Sequence, residues 1–183
     1  YLIFQDILMG LYDRHVILEK FSSHYSEIVS KYIKAAENNP KWSYIFETMR
    51  DIAQFLAIKS DIGIKLKSAY DAGNMEELSE ILDRLEVLKE LCEVFHDSVR
   101  RQWLIENKGF GLDVQDIRIG GLSARISTAM MRIEDYLEGR ISSIEELEED
   151  RLYADCRPDD QNSSLDTHVW FWNEAATAGV LER

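Results

Sequence analysis

Hydrophobic side chains recur at every third or fourth position over most of the chain, and this spacing is typical of amphipathic helices. The stripes predict four helices, over residues 16–36, 42–70, 74–103 and 122–137. The second has Trp42 and Met49 on its inward face and a weak point at residues 60–63, where it could also break. Gly73 and Gly139 are the predicted stops of the second and fourth helices. Capping-box patterns at Asn74/Glu77 and Ser142/Glu145 indicate where the third helix and a short acidic helix begin. Because the third helix would be about 45 Å long at roughly 1.5 Å per residue, it needs partners of similar length. The pattern therefore predicts an all-α fold, an antiparallel bundle of four or five helices.

Two stretches interrupt the helical pattern. Residues 1–5 (YLIFQ) are apolar and β-prone, and they predict a short strand that passes directly into a helix. Residues 106–121 contain four glycines and no helical period, so they predict a shaped loop between two long helices. The resulting division is a junction over residues 1–14, a bundle over 15–150, and a tail over 151–183 that is first acidic and then aromatic.

The net charge of the chain limits the classes of partner that it can bind. The 183 residues include 21 Lys and Arg against 34 Asp and Glu, which gives a net charge of −13. This balance argues against a nucleic-acid binder and against an anionic membrane surface. Residues 142–166 carry nine acidic and two basic side chains, hence −7 of that charge. A solvated helix face and loop is the favoured interpretation, and a partner-binding tail is the alternative.

Cysteine and histidine positions give little evidence for a metal or a disulfide. Cys92 and Cys156 cannot form a disulfide framework or a zinc set, so we expect a reducing compartment and a cytoplasmic protein. Glu93-x-x-His96 has the spacing found in di-iron bundles, but such sites need a second pair and two further glutamates. A surface histidine is favoured, and neither a metal nor a cofactor is expected. Apolar runs stay shorter than the roughly 20 residues of a membrane span.

The glycine-rich loop holds most of the candidate functional residues, as a structural loop or an interface. They are Asn107, Gly109, Phe110, Gly111, Asp113, Asp116, Arg118, Gly120 and Gly121. Gly109-x-Gly111 lacks the Gly-Lys-Ser/Thr ending of a phosphate loop, so its glycines would let the backbone approach a ligand or a neighbouring helix. The charges of Asp116 and Arg118 favour an ion pair that fixes the loop over a contact to a ligand.

The tail ends in an aromatic patch. Trp170 and Trp172 would point the same way in an extended segment, where they could stack on a sugar or fill an interface. The sequence contains no Gly-x-Ser-x-Gly string, and neither cysteine has a neighbouring histidine, so the common nucleophile motifs are missing.

Three segments resemble a known family. They are ENKGFGLDVQDIRIGGL (106–122), EDYLEGRISSIEELEE (134–149) and the opening YLIFQDILMGLYDRH (1–15). The first two are similar to the C-terminal helical domain of one branch of glycoside hydrolase family 20, the bacterial exo-β-N-acetylhexosaminidases. The third resembles the passage from the last barrel strand of that branch into its helical domain. Because the chain also begins at Tyr1 inside an apolar segment, we interpret it as a fragment of a longer protein.

The resemblance implies a parent enzyme with a (β/α)8 catalytic barrel that removes terminal β-linked N-acetylglucosamine or N-acetylgalactosamine with retention. The substrate's acetamido group is the nucleophile, an Asp orients it, and an adjacent Glu is the general acid and base, without metal or cofactor. This chain contains no Asp-Glu dipeptide, so we expect it not to be catalytic alone. Its implied role is to cover one flank of the barrel and to form a homodimer.

Asp6 is the one residue that the resemblance connects to substrate. The last barrel strand of the family offers a carboxylate to hydroxyls of the terminal sugar, and Asp6 matches that position if residues 1–5 form the strand. The equally good alternative is that Asp6 is the N-cap of the first helical turn. A different class, a stand-alone acidic bundle acting as an interaction module, explains the charge and periodicity but not the glycine-rich segment.

Overall fold

The computed structural model describes residues 2–10, 12–16 and 20–151. The helices are α1 (Asp13–Val16), α2 (Phe21–Asn38), α3 (Ser43–Asp71), α4 (Met75–Glu106), α5 (Leu112–Leu137) and α6 (Glu145–Glu148), with a 3-10 turn at Pro40–Trp42 between α2 and α3. The predicted all-α bundle is confirmed. α3 runs without a break through the weak point predicted at residues 60–63.

Short connections make the long helices antiparallel neighbours in the order α2, α3, α4, α5. The turn between α3 and α4 shows why such a connection forms. Gly73 adopts φ +62°, and the amides of Gly73 and Asn74 donate to the carbonyls of Tyr70 and Ala69, which closes the end of α3. Asn74 then caps α4, since its side chain accepts from the Glu77 amide at 3.2 Å. The first capping-box prediction is therefore confirmed.

The second capping-box prediction is wrong in its detail. A short helix does begin at Glu145, but its N-cap is Ile144 and no side chain caps it. Arg132 of α5 contacts the carboxylates of Glu145 and Glu146 instead. The turn is held mainly by Ile144 and Leu147, which are both fully buried in the core, and the Arg132 contacts add to this packing.

The predicted glycine-rich loop is much shorter than expected. α5 begins at Leu112, so the residues from Asp113 to Gly121 are helical, and only residues 107–111 connect α4 to α5. Ile119 and Leu122 are buried in the core. Burying two such side chains contributes roughly 1.5–3 kcal/mol each, which exceeds the roughly 1 kcal/mol that a helical glycine costs.

The strand predicted at residues 1–5 is also wrong for the residues that the structure describes. Residues 2–4 form a turn and Gln5 a bend. The segment then lies across the bundle, with Ile7 and Leu8 inside the same hydrophobic core as α3, α4 and α5. We call residues 2–10 the N-terminal segment. It cannot form a strand here because its apolar side chains pack against helices and no strand lies beside it within residues 2–10, 12–16 and 20–151.

The hydrophobic core lies between α3, α4, α5 and the N-terminal segment. Phe55 of α3 stacks on Phe95 of α4 with ring centroids 5.9 Å apart, and α5 adds Ile126 and Ile133 from its inward face. α2 has no fully buried residue and covers α3 from outside, where the Ser22 hydroxyl donates to the Ala57 carbonyl at 2.6 Å. The N-terminal segment therefore takes the place that a fourth helix has in a simple bundle.

Candidate functional site

The N-terminal segment is bound to the bundle by a group of charged side chains, of which Asp6, Asp13 and Lys59 are buried. We call this group the anchor cluster; its members are Asp6, Asp13, Lys59, Arg125 and Arg151. They come from the N-terminal segment, α1, α3, α5 and the residue that follows α6. Because residues so far apart in the chain meet here, the cluster decides how the chain's beginning sits on the helices.

Lys59 lies at the centre of the anchor cluster. Its side chain is 1% exposed, and its Nζ donates to the main-chain carbonyl of Gln5 at 2.6 Å. Burial lowers the pKa of Lys59 to about 8, although the charges of Asp13 and Asp6 oppose that shift. The lysine therefore serves as a hydrogen-bond donor to the backbone of the N-terminal segment, at a cost in desolvation.

Asp6 has both carboxylate oxygens engaged within the chain. Oδ1 accepts from the amides of Leu8 and Met9 at 3.0 and 3.1 Å, and Oδ2 accepts from Arg125 Nε at 2.6 Å. Burial alone would raise the pKa of Asp6, but the Arg125 hydrogen bond and charge, with the two amides, hold it below its ordinary value. The amide contacts are those that the N-cap alternative predicts, and contact with a sugar stays a prediction.

Arg151 closes the cluster from the C-terminal side. Its Nε lies 3.1 Å from the Asp13 carboxylate, and its guanidinium also donates to the carbonyls of Leu8 and Gly63. Burial raises the pKa of the Asp13 carboxyl, against the opposing charges of Arg151 and Lys59. Gly63 of α3 is required by this close packing, since a Cβ there would lie 3.0 Å from the Ile7 carbonyl.

Sequence reasoning did not find the anchor cluster. Asp13, Lys59 and Arg151 sit in three segments with no common spacing, so no motif connects them. One signal was available: Gly63 interrupts the pattern of α3, and a glycine inside a helix often marks a close approach of another backbone.

The short loop between α4 and α5 contains Asn107, Gly109, Phe110 and Gly111. Gly111 adopts φ +89°, and a Cβ there would lie 3.1 Å from the Trp103 ring. The Trp103 indole donates to the Lys108 carbonyl at 2.9 Å, and Asp113 accepts from the Gly111 amide at 3.1 Å. Phe110 is 88% exposed. The loop is thus folded against its own helices while Phe110 points into solvent.

Asp116 and Arg118 lie on α5 and make different contacts. Asp116 accepts from Arg100 Nε at 2.8 Å and contacts His96 Nε2 at 2.7 Å, so it joins α5 to α4. The hydrogen bond from Arg100, together with His96, holds the pKa of Asp116 below its ordinary value. Arg118 places its guanidinium 4.4 Å from the centroid of the Phe4 ring. Gly120 and Gly121 are exposed on the same helix. Trp170 and Trp172 lie outside the described residues.

Within residues 2–10, 12–16 and 20–151, no group of three or more His, Cys, Asp and Glu side chains is arranged to hold a metal ion. Over the same part of the chain, no helix is long and apolar enough to cross a lipid bilayer.

The fold and the anchor cluster define a helical domain whose N-terminal segment is held on the bundle by buried and half-buried charged side chains. Comparison with protein families identifies it further. The family model of the glycoside hydrolase 20C C-terminal domain matches residues 1–166, and the chain belongs to that family. The matched range includes the N-terminal segment and the whole anchor cluster. A search of curated proteins finds no match.

Proposed function

We propose that this chain is the helical accessory domain of an exo-β-N-acetylhexosaminidase, and that it holds the enzyme's catalytic barrel in place without doing chemistry itself. The anchor cluster and the family match together support this proposal. Lys59 and Arg125 bind residues 5 and 6 from two different helices. A barrel joined to the chain at this point would be held in a defined orientation to the bundle.

The substrate class follows from the family and not from a pocket in this chain. The resemblance described above implies that the enzyme acts on terminal β-linked N-acetylglucosamine or N-acetylgalactosamine. The test compares the full-length enzyme with the 183-residue chain on 4-nitrophenyl N-acetyl-β-glucosaminide and the galactosaminide. We expect release of 4-nitrophenol by the enzyme alone. Enzyme-like turnover by the 183-residue chain would overturn the accessory role.

Asp6 offers a sharper test of whether the N-terminal segment reaches the sugar. In the full-length enzyme, Asp6→Ala and Arg125→Ala break the same ion pair from opposite sides. If Asp6 only anchors the segment, both variants lower the unfolding temperature and leave KM unchanged. If Asp6 also binds a sugar hydroxyl, Asp6→Ala alone raises KM or lowers kcat. The matched arginine variant thus separates lost anchoring from lost binding.

The aromatic tail and the assembly state are further parts of the proposal. Trp170 and Trp172 stack on the substrate or fill an interface, and replacing each with Ala in the enzyme would raise KM only in the first case. A homodimer is expected from the exposed apolar side chains at the end of α4 and in the loop that follows it, such as Leu104 and Phe110. Light scattering that shows a monomer at micromolar enzyme would contradict the dimer. We place the enzyme in the cytoplasm, which cell fractionation would check.

A further inference from the structure

The side of α5 that faces away from the core is free of charge over almost four helical turns. We call it the α5 outer face; its residues are Ile117, Gly121, Ala124, Thr128 and Met131. They are spaced alternately by four and three positions, which places them on one side of the helix. Ile117 is 73% and Met131 51% exposed, and both Gly121 and Ala124 are exposed as well. Such an apolar strip on a long helix is suited to burial against another body.

Two glycines near the middle of this strip have no explanation inside the described part of the chain. A Cβ added at Gly120 or Gly121 would meet no described atom within 4 Å. Each glycine nevertheless costs roughly 1 kcal/mol relative to alanine in a helix. Glycines let another surface come close to the helix backbone, so an approaching body outside residues 2–151 accounts for them.

The N-terminal segment runs along the edge of the α5 outer face. Phe4 lies under Arg118, and Asp6 binds Arg125. These two arginines directly follow Ile117 and Ala124 in the sequence, so the contacts lie beside the strip over two turns. In a C-terminal domain of this family, the catalytic part precedes these residues in the polypeptide. A barrel that precedes these residues would therefore join the chain within a few residues of Phe4, close to the strip.

The outer side of the neighbouring helix α4 is unsuited to the same role. The outer side of α4 presents a row of exposed carboxylates, formed by Glu80, Asp83, Glu86, Glu90, Glu93 and Asp97. Removing such a row from water would cost several kcal/mol for each unpaired charge. α4 therefore faces solvent, and the uncharged face of α5 is the better surface to cover.

We propose that the α5 outer face is the surface on which the catalytic barrel of the same polypeptide docks. The proposal rests on the function proposed above and adds the position of the interface. The partner surface is an uncharged apolar side of the barrel that comes close to the backbone at Gly120 and Gly121. A second copy of the chain is the competing occupant and is separated from the barrel by the test.

Thiol labelling of the full-length enzyme tests the proposal. Ala124→Cys places a thiol on the α5 outer face, and Glu90→Cys places the matched control on the solvent side of α4. Both are made with Cys156→Ser, since Cys92 is buried. Peptide mass spectrometry follows maleimide labelling of each introduced site, so thiols elsewhere do not interfere. We expect Ala124→Cys to react at least tenfold more slowly than Glu90→Cys, at both micromolar and nanomolar enzyme.

Several results would overturn the proposal. Equal labelling rates show that the α5 outer face is open to solvent. Protection that disappears on dilution shows that a second copy covers it. Thr128→Cys repeats the measurement if Ala124→Cys fails to fold by circular dichroism. The proposed function is judged separately. If the enzyme hydrolyses the N-acetylhexosaminide but Ala124→Cys labels freely, only the docking surface is refuted. If the folded full-length protein has no hydrolase activity, the proposed function is refuted.

Discussion

Replacing Lys59 by methionine should remove a pH dependence of stability that the wild-type chain carries. Folding lowers the pKa of Lys59 from 10.5 to about 8, because the amine is buried. The unfolded chain keeps the lysine proton up to pH 10.5, and the folded chain releases it near pH 8. Between these values the unfolded chain binds more protons, so the free energy of unfolding rises with pH.

The size of the effect follows from the two pKa values. Each tenfold difference in proton affinity is worth about 1.4 kcal/mol, so the complete effect is about 3 kcal/mol. Between about pH 7.5 and about pH 9.5 the lysine contributes a rise of about 2 kcal/mol. Cys92 acts in the opposite direction, because burial raises the pKa of its thiol to about 11. The folded chain then holds the extra proton, and stability falls by about 1 kcal/mol over that range.

Comparison of two proteins isolates the lysine. Urea unfolding of the wild-type chain and of Lys59→Met is measured at both pH values, and the thiol contribution cancels in the difference. With a slope of about 2 kcal/mol per molar urea, the midpoint of the wild type should move up by about 1 M relative to the variant. Lys34→Met, at an exposed position of α2, is the matched control and should follow the wild type. If the urea midpoints of the wild type and of Lys59→Met changed equally between the two pH values, the lowered pKa of Lys59 would be refuted.

Three glycine positions and one cap give further predictions for the 183-residue chain, all measured by urea or thermal unfolding. Gly120→Ala should raise stability by about 0.5–1 kcal/mol, because alanine is the better helix former. Gly73 also has open space around it, but its φ is +62°, so Gly73→Ala should lower stability by about 1 kcal/mol. If Gly73→Ala and Gly120→Ala changed stability equally, the backbone conformations assigned to these two glycines would be wrong. Gly111→Ala should cost more than Gly73→Ala, since the added methyl also meets the Trp103 ring. Asn74→Ala should cost about 1 kcal/mol while Asn74→Ser restores most of it, and a neutral alanine would show that the cap is not formed.

The local pattern predicted those parts of the fold that depend on neighbours in sequence. Most residues of the predicted stripes are buried as the 3/4 spacing indicates, from Leu78 to Phe95 in α4 and from Leu122 to Ile133 in α5, while Leu82 and Met130 are partly buried. The helix ends predicted at Gly73 and Gly139 are also correct, and both glycines adopt positive φ. Helix periodicity and chain reversal are determined within a few residues, so they can be predicted from the sequence alone.

Long-range packing decided the rest. The predicted inward face of α3 included Trp42 and Met49, yet both are exposed, and Asp51 and Lys59 are buried. α3 contacts α2 on one side and α4 on another, so its polar residues are enclosed by partners that periodicity cannot reveal. α5 likewise begins ten residues before the predicted Leu122, because Asp116 is held by His96 and Arg100 of α4.

By itself, the sequence determined that this protein is an acidic all-α bundle with four long helices, and it gave a family resemblance that the comparison confirmed. Only the tertiary structure decided that residues 2–10 lie inside the bundle and that Asp6 is paired with Arg125. The anchor cluster joins residues separated by more than one hundred positions, as Asp6 and Arg125 are. Its members carry no common spacing, because each is selected by contact in space and not by position along a helix.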